Sequence, residues 1–367
     1  MIIVSNHSIK VYGAEGAIMS FQENKRQLIK HYMLEKIRMD DVEFMQKTMY
    51  NFQISVTTVK RYIQECLERK ILLEDEGAQS GYRLQQEEHC FEYSVEEGMV
   101  EDDIYYDDIF PLIQDVSDES KRIWRYAFME MMNNAIEHSE CHTIYCRVVK
   151  DVLYTDITIV DDGIGIFKKV QEYLTEQIGK KATYQDALTE LYKGKLTTKA
   201  QNHSGEGIFF SSKSVDEFAI WSDDAIYLQG VTEKTKFVQN HLISYYTRLN
   251  HIGTAVMMKL ENQTKRLLKE VFNMYSTVDE GFVKTRIPIK DVCREGEPIA
   301  RSQARKILYR LEQFQTVELD FSNVDFMGQG FADEVFRVFK SRCPEVNILA
   351  INAGPDVLRM IKHVQTS

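Results

Sequence analysis

The chain has 367 residues, 44% hydrophobic and 28% charged, with a formal net charge of -11 at pH 7; this length predicts two or three domains and excludes a disordered chain. The net charge argues against a protein that coats nucleic acid as a whole, and no apolar run approaches the roughly 20 residues of a membrane span, so no membrane partner is expected. The opening MIIVSNHSIKVYGAEG lacks the plan of a secretory leader and the six cysteines show no paired spacing, which together point to a cytoplasmic protein with reduced thiols.

Residues 1–24 read as an N-terminal tail. From residue 25 to 88 the pattern is helix, helix, turn, helix, hairpin. KRQLIKHYMLEKI is amphipathic, with Leu28, Tyr32, Leu34 and Ile37 expected in a core. DDVEFMQKTMY offers a second helix with acids in its first turn, where the helix dipole favours them. Ser55 suits the cap of a third helix carrying Val59, Ile63 and Leu67, and ILLEDEGAQSGYRLQ reads as strand, turn, strand. This order resembles the winged helix-turn-helix of bacterial regulators. Between Lys25 and Lys70 stand ten Lys or Arg against six Asp or Glu, a local net charge of +4. Thr57, Thr58, Lys60 and Arg61 open the third helix and suit phosphate and base-edge contacts, so DNA is the expected partner. Protein docking or homodimerisation is the alternative use of such a module.

EEGMVEDDIYYDD, residues 96–108, holds seven acidic side chains and reads as a solvated connector or the exposed edge of the next domain. MEMMNNAIEHS, residues 129–139, then presents a helix with apolar Met129, Met131, Met132, Ala135 and Ile136. Glu130, Asn134 and His138 recur at intervals of four and form one polar stripe, with Asn133 about 100° away from it. HTIYCRVV and VLYTDITIV alternate like hairpin strands, and the second runs into DDGIGIF. Further on stand HSGEGIFFSSKSV and GTAVMM. A carboxylate at a strand end followed by Gly-x-Gly lets a flat polar ring approach the backbone. A glycine pair before an apolar helix start is an arrangement that holds phosphates.

Taken together and in this order, these elements resemble the GHKL ATPase superfamily, the Bergerat fold of gyrase, Hsp90-type chaperones, histidine kinases and anti-sigma-factor kinases. Glu130, Asn134 and His138 match its N box, Asp161, Gly163 and Gly165 its first glycine box, and Gly205 and Gly207 its second. Thr254 matches a threonine after the glycine of a late strand. The resemblance implies a Bergerat α/β sandwich over about residues 89–260 that binds ATP and Mg2+. It assigns the Asn134 amide oxygen to the metal, Glu130 to the general-base role, His138 to the phosphates or lid, and Asp161, with Thr254, to the adenine. A mobile lid is expected over about 167–204, with Lys195, Lys199 and His203 within reach of the phosphates. YKGKLTT is not a P-loop, because Thr189 stands where its first glycine belongs. His138, Cys141, His142 and Cys146 straddle a helix end and a strand, which disfavours a zinc site.

Residues 261–367 read as a small α/β domain of alternating strands and helices, beginning with a helix in TKRLLKEVFNMYS and a strand in RIPIKDV. VELDFSNVDFMGQGFADEVF resembles the STAS domain of anti-anti-sigma factors, which implies docking or regulation and a protein partner. Gly328, Gln329 and Gly330 occupy its acceptor turn, so no phosphoacceptor hydroxyl is expected there. The fold class expected is therefore multidomain α/β: winged helix, Bergerat domain and STAS-like domain. The function expected is an ATP-responsive regulator, with slow ATPase activity possible in principle. The alternative is an anti-sigma-like serine, or histidine, protein kinase acting on a separate protein.

Overall fold

The computed structural model describes residues 14–179, 181–195, 206–223, 225–231, 251–277, 279–293 and 296–366. The chain forms two compact units, Met1–Glu87 with Lys150–Tyr154, and Glu88–Val149 with Thr155–Ser367.

In the first unit, helices α1 (Ala14–Arg38), α2 (Phe44–Phe52) and α3 (Val56–Glu68) precede an antiparallel hairpin of β1 (Leu72–Glu74) and β2 (Tyr82–Leu84). Helix α1 begins inside the expected tail, since residues 14–24 contain strong helix formers and no proline. Its buried stripe is Ile29, Met33, Leu34 and Ile37, whereas Leu28 is 60% exposed. The inward face thus starts one position, or 100°, later than expected. Phe44, Val59, Ile63 and Leu84 complete this core. The Ser55 hydroxyl caps α3 by accepting the Thr58 N–H. Glu65 of α3 accepts from Arg26 at 2.6 Å and pairs with Lys30 at 2.7 Å, and the Lys30 and Arg26 cations hold its carboxyl down to about 2. Part of the positive charge of this segment is therefore neutralised within it.

The second unit is built on a six-stranded sheet of β3 (Glu87–Ser94), β4 (Thr143–Lys150), β5 (Tyr154–Asp161), β6 (Glu217–Ser222), β7 (Ala225–Gln229) and β8 (Thr254–Glu261), in the order β3-β4-β5-β8-β6-β7. Alternate residues such as Ile144, Ile157, Phe218 and Met258 join a large apolar core. That core is shared by α5 (Asp118–His138), α6 (Ile166–Ile178), α7 (Tyr184–Lys193) and α8 (Gly207–Ser214). The intervening residues Val160, Ala219, Ala255 and Met257 form a separate small cluster. Ser117 caps α5, and Ser120 ties its first turn to the Glu261 and Asn262 carbonyls at 3.0 Å. Trp124 and Phe128 of α5 are fully buried, Phe128 alone contributing roughly 2–3 kcal/mol.

The acidic run is an edge and not a solvated connector. It is helical from α4 (Glu101–Ile104) through a π turn at Tyr105–Ile109 to a 3-10 turn at Phe110–Ile113. Ile104, Tyr105, Ile109 and Ile113 are buried while Asp102, Asp103 and Asp107 face out, because its apolar residues recur at near-helical spacing between the acids.

After α9 (Leu268–Tyr275) and the short hairpin β9 (Ser276–Thr277) and β10 (Gly281–Phe282), a second sheet is formed by β11 (Lys284–Pro288), β12 (Thr316–Asp320) and β13 (Asn347–Ile351). Its strands are parallel in the order β11-β12-β13. The connections carry α10 (Ile289–Val292), α11 (Arg301–Leu308) and α12, which starts at Gln329–Asp333 and continues through a π stretch to Arg342; α13 (Pro355–Thr366) follows the last strand. RIPIKDV is strand only as far as Pro288, whose fixed φ begins the turn of α10. The apolar core runs without a break from Ile104 to Val364, across the expected boundary at 260. Among the described residues no helix is long and apolar enough to cross a membrane.

Candidate functional site

The α5 stripe is half-buried: Glu130, Asn134 and His138 are of intermediate exposure, while Met131, Met132 and Ala135 are buried behind them. Its two ends meet the two glycine turns. At one end, a Cβ placed on Gly207 would overlap the Glu130 carboxylate, so Glu130 lies directly against the first residue of α8. Tyr126, one turn earlier on α5, is pushed upward by burial and by the nearby Glu130 and Glu206 charges. At the other end, the Ser139 carbonyl accepts the Ile164 N–H at 3.0 Å, and a Cβ on Gly163 would overlap that carbonyl. Glu130 and Ser139 are separated by about 13 Å along the helix at 1.5 Å per residue. Asn134 stands between them.

Asp161 ends β5 and is 4% exposed. Its Oδ1 accepts the N–H groups of Gly163 at 2.9 Å and Thr254 at 3.2 Å. Burial nevertheless dominates and pushes its carboxyl up to about 6, with Asp162 adding to the rise and the two amides opposing it. The Thr254 hydroxyl accepts the Ile166 N–H at 3.1 Å, closing the start of α6. Gly165 precedes that helix at φ +87°, a left-handed conformation that favours glycine, and a Cβ there would press on the Ser222 hydroxyl at 2.6 Å. The site thus offers a buried carboxylate bordered by glycines and Thr254, and an amide, a carboxylate and a helix N-terminus farther along α5.

Three contributors were not singled out by the sequence. Gly253 donates its N–H to the Asp161 carbonyl at 2.8 Å and crosses Gly163 backbone to backbone. The Asp162 carboxylate accepts from the His142 and Thr143 amides at 2.8 and 3.0 Å, which fixes the turn beside Asp161. Tyr126 supplies the wall beside Glu130. The glycine was visible in GTAVMM, but its partner lies 90 positions away and only the fold joins them.

Lys199, His203 and Gly205 lie outside the described residues. Lys195 does not point at an open phosphate site: its Nζ donates to the Gln313 carbonyl at 3.2 Å and lies 4.7 Å from the Phe314 ring centre. Among the described residues no group of three or more His, Cys, Asp or Glu is placed to hold a metal. Cys141 instead donates to the Ala135 carbonyl at 3.5 Å, and Cys146 is fully buried in the sheet.

On α3, Thr57, Lys60 and Arg61 are exposed. The Thr58 hydroxyl is within 3.1 Å of the capping Ser55 hydroxyl, so it serves the helix start. Arg61 lies 5.2 Å over the Tyr62 ring and 3.9 Å from Glu65.

In the C-terminal parallel sheet, Gly328 lets the turn before α12 touch the Ile299 backbone, its N–H donating to the Pro298 carbonyl at 2.9 Å. Ser322, which follows β12, donates its hydroxyl to Asp320 at 2.7 Å. Residues 303–358, from within α11 to within α13, match the family model of a STAS-like domain of unknown function (DUF4325). The chain thus carries a STAS-like domain near its C-terminus, consistent with a docking or regulatory role. No curated protein matches the chain.

Proposed function

We propose that this chain is an ATP- and Mg2+-binding regulator of the GHKL type, in which nucleotide occupancy controls a winged-helix DNA-binding module and the STAS-like docking domain. The observation that carries the reading is the path along α5. It begins where Glu130 meets Gly207, passes Asn134, and ends where Ser139 meets Gly163 beside the buried Asp161. Four sequence motifs scattered over more than a hundred residues converge there, which ordinary glycine turns would not require.

The residues fit the ligand. The missing side chains at Gly163, Gly207 and Gly253 let Ser139, Glu130 and the β5 turn pack at contact, which draws the two glycine turns to the ends of the α5 stripe. Asp161 would accept the hydrogen bond of the adenine amino group, and Thr254 would hold the turn that borders the base. The N-terminus of α8, with its glycine at position 207, is the kind of helix start that favours phosphate. Asn134 would supply an amide oxygen to Mg2+, a hard cation that takes oxygen ligands and neutralises phosphate charge. Glu130 would take a proton from an attacking water.

The STAS-like domain supports the regulatory half of the reading. Ile299 and Phe326, 47 and 56% exposed, flank the turn before α12 and offer apolar surface to a protein. The winged-helix reading rests on the order of α1, α2, α3 and the β1–β2 hairpin, with Lys60 and Arg61 outward.

Calorimetry tests the nucleotide site. The parent should bind ATP more tightly with Mg2+ than without. Asn134→Ala should lose about tenfold, or about 1.4 kcal/mol, in the presence of the metal and little in its absence. Equal affinity of parent and variant under both conditions would sink the assignment. Gly207→Ala probes the other end. Its methyl meets the flexible end of Glu130, so that carboxylate should swing away with less than about 1 kcal/mol lost in stability. Any ATP hydrolysis should fall at least about tenfold, and thermal melting with a phosphate-release assay reads both effects.

A further inference from the structure

The helix α7 lies between the glycine boxes, where a lid was expected, and it is bolted to the STAS-like part of the chain. Lys193 at its end is 1% exposed, pairs with Glu190, and donates to the Tyr309 carbonyl at 2.6 Å. From the other side, the Thr285 hydroxyl of β11 donates to the Lys193 carbonyl at 2.9 Å. Gln185 donates to the Asp291 carbonyl at 2.6 Å, and Lys306 of α11 pairs with Asp186 at 2.8 Å. Asp186 is also half of a capping box with Thr183, so Lys306 grips the residue that starts the helix.

The contact continues toward the phosphate end of the site. Gly194 closes α7 at φ +86°, where a Cβ would press on the Phe209 ring at 2.6 Å. Phe209 stands two positions after Gly207 and its ring centre is 4.6 Å from that of Phe282 on β10. Lys195 and Glu206, the residues that bracket 196–205, stabilise each other's charge, and Lys195 is itself held by the Gln313 carbonyl and the Phe314 ring. Lys195, next to the end of α7, therefore rests on the C-terminal domain, and the Gly194–Phe209 contact carries the joint on to the start of α8. Beside the junction lies a half-open pocket of about 320 Å³ lined by Tyr184, Leu188, Tyr192, Ile226, Leu228 and Lys290.

We propose that α7, gripped by Thr285 and Lys306, couples the nucleotide site to the STAS-like domain, so that a protein docked on that domain changes ATP affinity and ATP changes the docking surface. The proposal rests on the nucleotide reading given above. Reciprocity follows from linkage: whatever factor one site imposes on the other is returned in full. Because Gly194 at the end of α7 packs on Phe209 in the first turn of α8, loosening the grip on α7 lets the start of α8 shift and weakens ATP binding.

Removing one member of the buried Lys193–Glu190 pair would threaten folding, so the test uses Thr285→Val, which keeps the volume, and Lys306→Gln, whose side chain is 58% exposed. Neither residue lies in the nucleotide site. In the full-length parent, Mg-ATP should alter hydrogen exchange in 283–291 and 305–314 as well as around Asp161. The two variants combined should weaken Mg-ATP binding about fivefold or more and abolish the remote exchange response. If Thr285→Val alone fails to fold, Lys306→Gln should still show both effects in reduced form. If the parent binds Mg-ATP, yet exchange in 283–291 and 305–314 is unchanged and both variants bind within twofold of it, the coupling is wrong and the nucleotide reading stands. If the parent binds no nucleotide, both are wrong.

Discussion

Asp161→Asn is expected to cost at least about a hundredfold in adenine-nucleotide affinity, about 2.7 kcal/mol, and at the same time to raise the melting temperature of the nucleotide-free protein at pH 8. The two effects share one cause. Asn keeps an oxygen for the Gly163 and Thr254 amides, but its second atom group is a donor that faces the adenine amino group instead of accepting from it. The stability gain follows from the raised carboxyl. The unfolded group titrates near 3.8 and the folded one at about 6, because burial penalises its charge. Its contribution to stability is therefore fully present below about 3.8 and is lost as pH rises through about 6. By pH 8 the folded protein carries an ionisation cost of about 3 kcal/mol that the amide does not. The difference in melting temperature between variant and parent should grow from pH 4 to 7 and then level. In the binding assay, the parent's advantage over the variant should shrink about tenfold for each pH unit below 6. A variant that is less stable than the parent at pH 8, or that binds ATP equally well, would remove Asp161 from the site.

Periodicity made the α5 stripe legible, because Glu130, Asn134 and His138 recur at the helical step and their apolar neighbours do not compete for that face. Strand alternation likewise exposed β4 and β5, and the small parallel sheet was readable from strands alternating with helices. Contacts decided by tertiary packing could not be read in this way. Lys193 and Glu190 look like an ordinary surface pair at i, i+3, and only the arrival of Tyr309 and Thr285 makes them a buried joint. Leu28 and Ile29 are equally apolar, so the one-position offset of the α1 stripe depends on which face α2 and α3 cover. The acids at 101–108 dominated their segment by charge and masked the recurrence of Ile104, Tyr105 and Ile109 beneath them.

The burial of α7 against β11 also bears on how the two halves of the second unit divide their work. A lid that moved independently would present a polar outer face, whereas α7 has no such face: every residue from Ala187 to Lys193 is buried. Its movement must therefore be shared with the elements that cover it. That constraint turns a packing detail into a route for regulation.

Gly163→Ala should lower the melting temperature by about 4–8 °C, corresponding to about 2 kcal/mol or more, and abolish nucleotide binding. The new methyl would fall on the Ser139 carbonyl group, 2.8 Å from its carbon, and the obstacle is backbone that cannot rotate aside. Gly253 meets Gly163 from the opposite side, where its own Cβ would lie 2.5 Å from both the Gly163 nitrogen and the Asp161 Oδ1. Three strands of chain thus cross at backbone contact, and the hydrogen bonds from Ile164 to Ser139 and from Gly253 to the Asp161 carbonyl hold them there. Separating the end of α5 from the end of β5 would break the first bond and tilt the stripe away from Asp161. Gly354→Ala is the matched control: a Cβ there meets nothing within 4 Å, so it should change stability by less than about 0.5 kcal/mol. Should Gly163→Ala melt within 1–2 °C of Gly354→Ala, by the same conversion of energy to temperature, the turn must have more slack than its backbone contacts allow. The close approach of α5 to Asp161 would then lose its role in shaping the site.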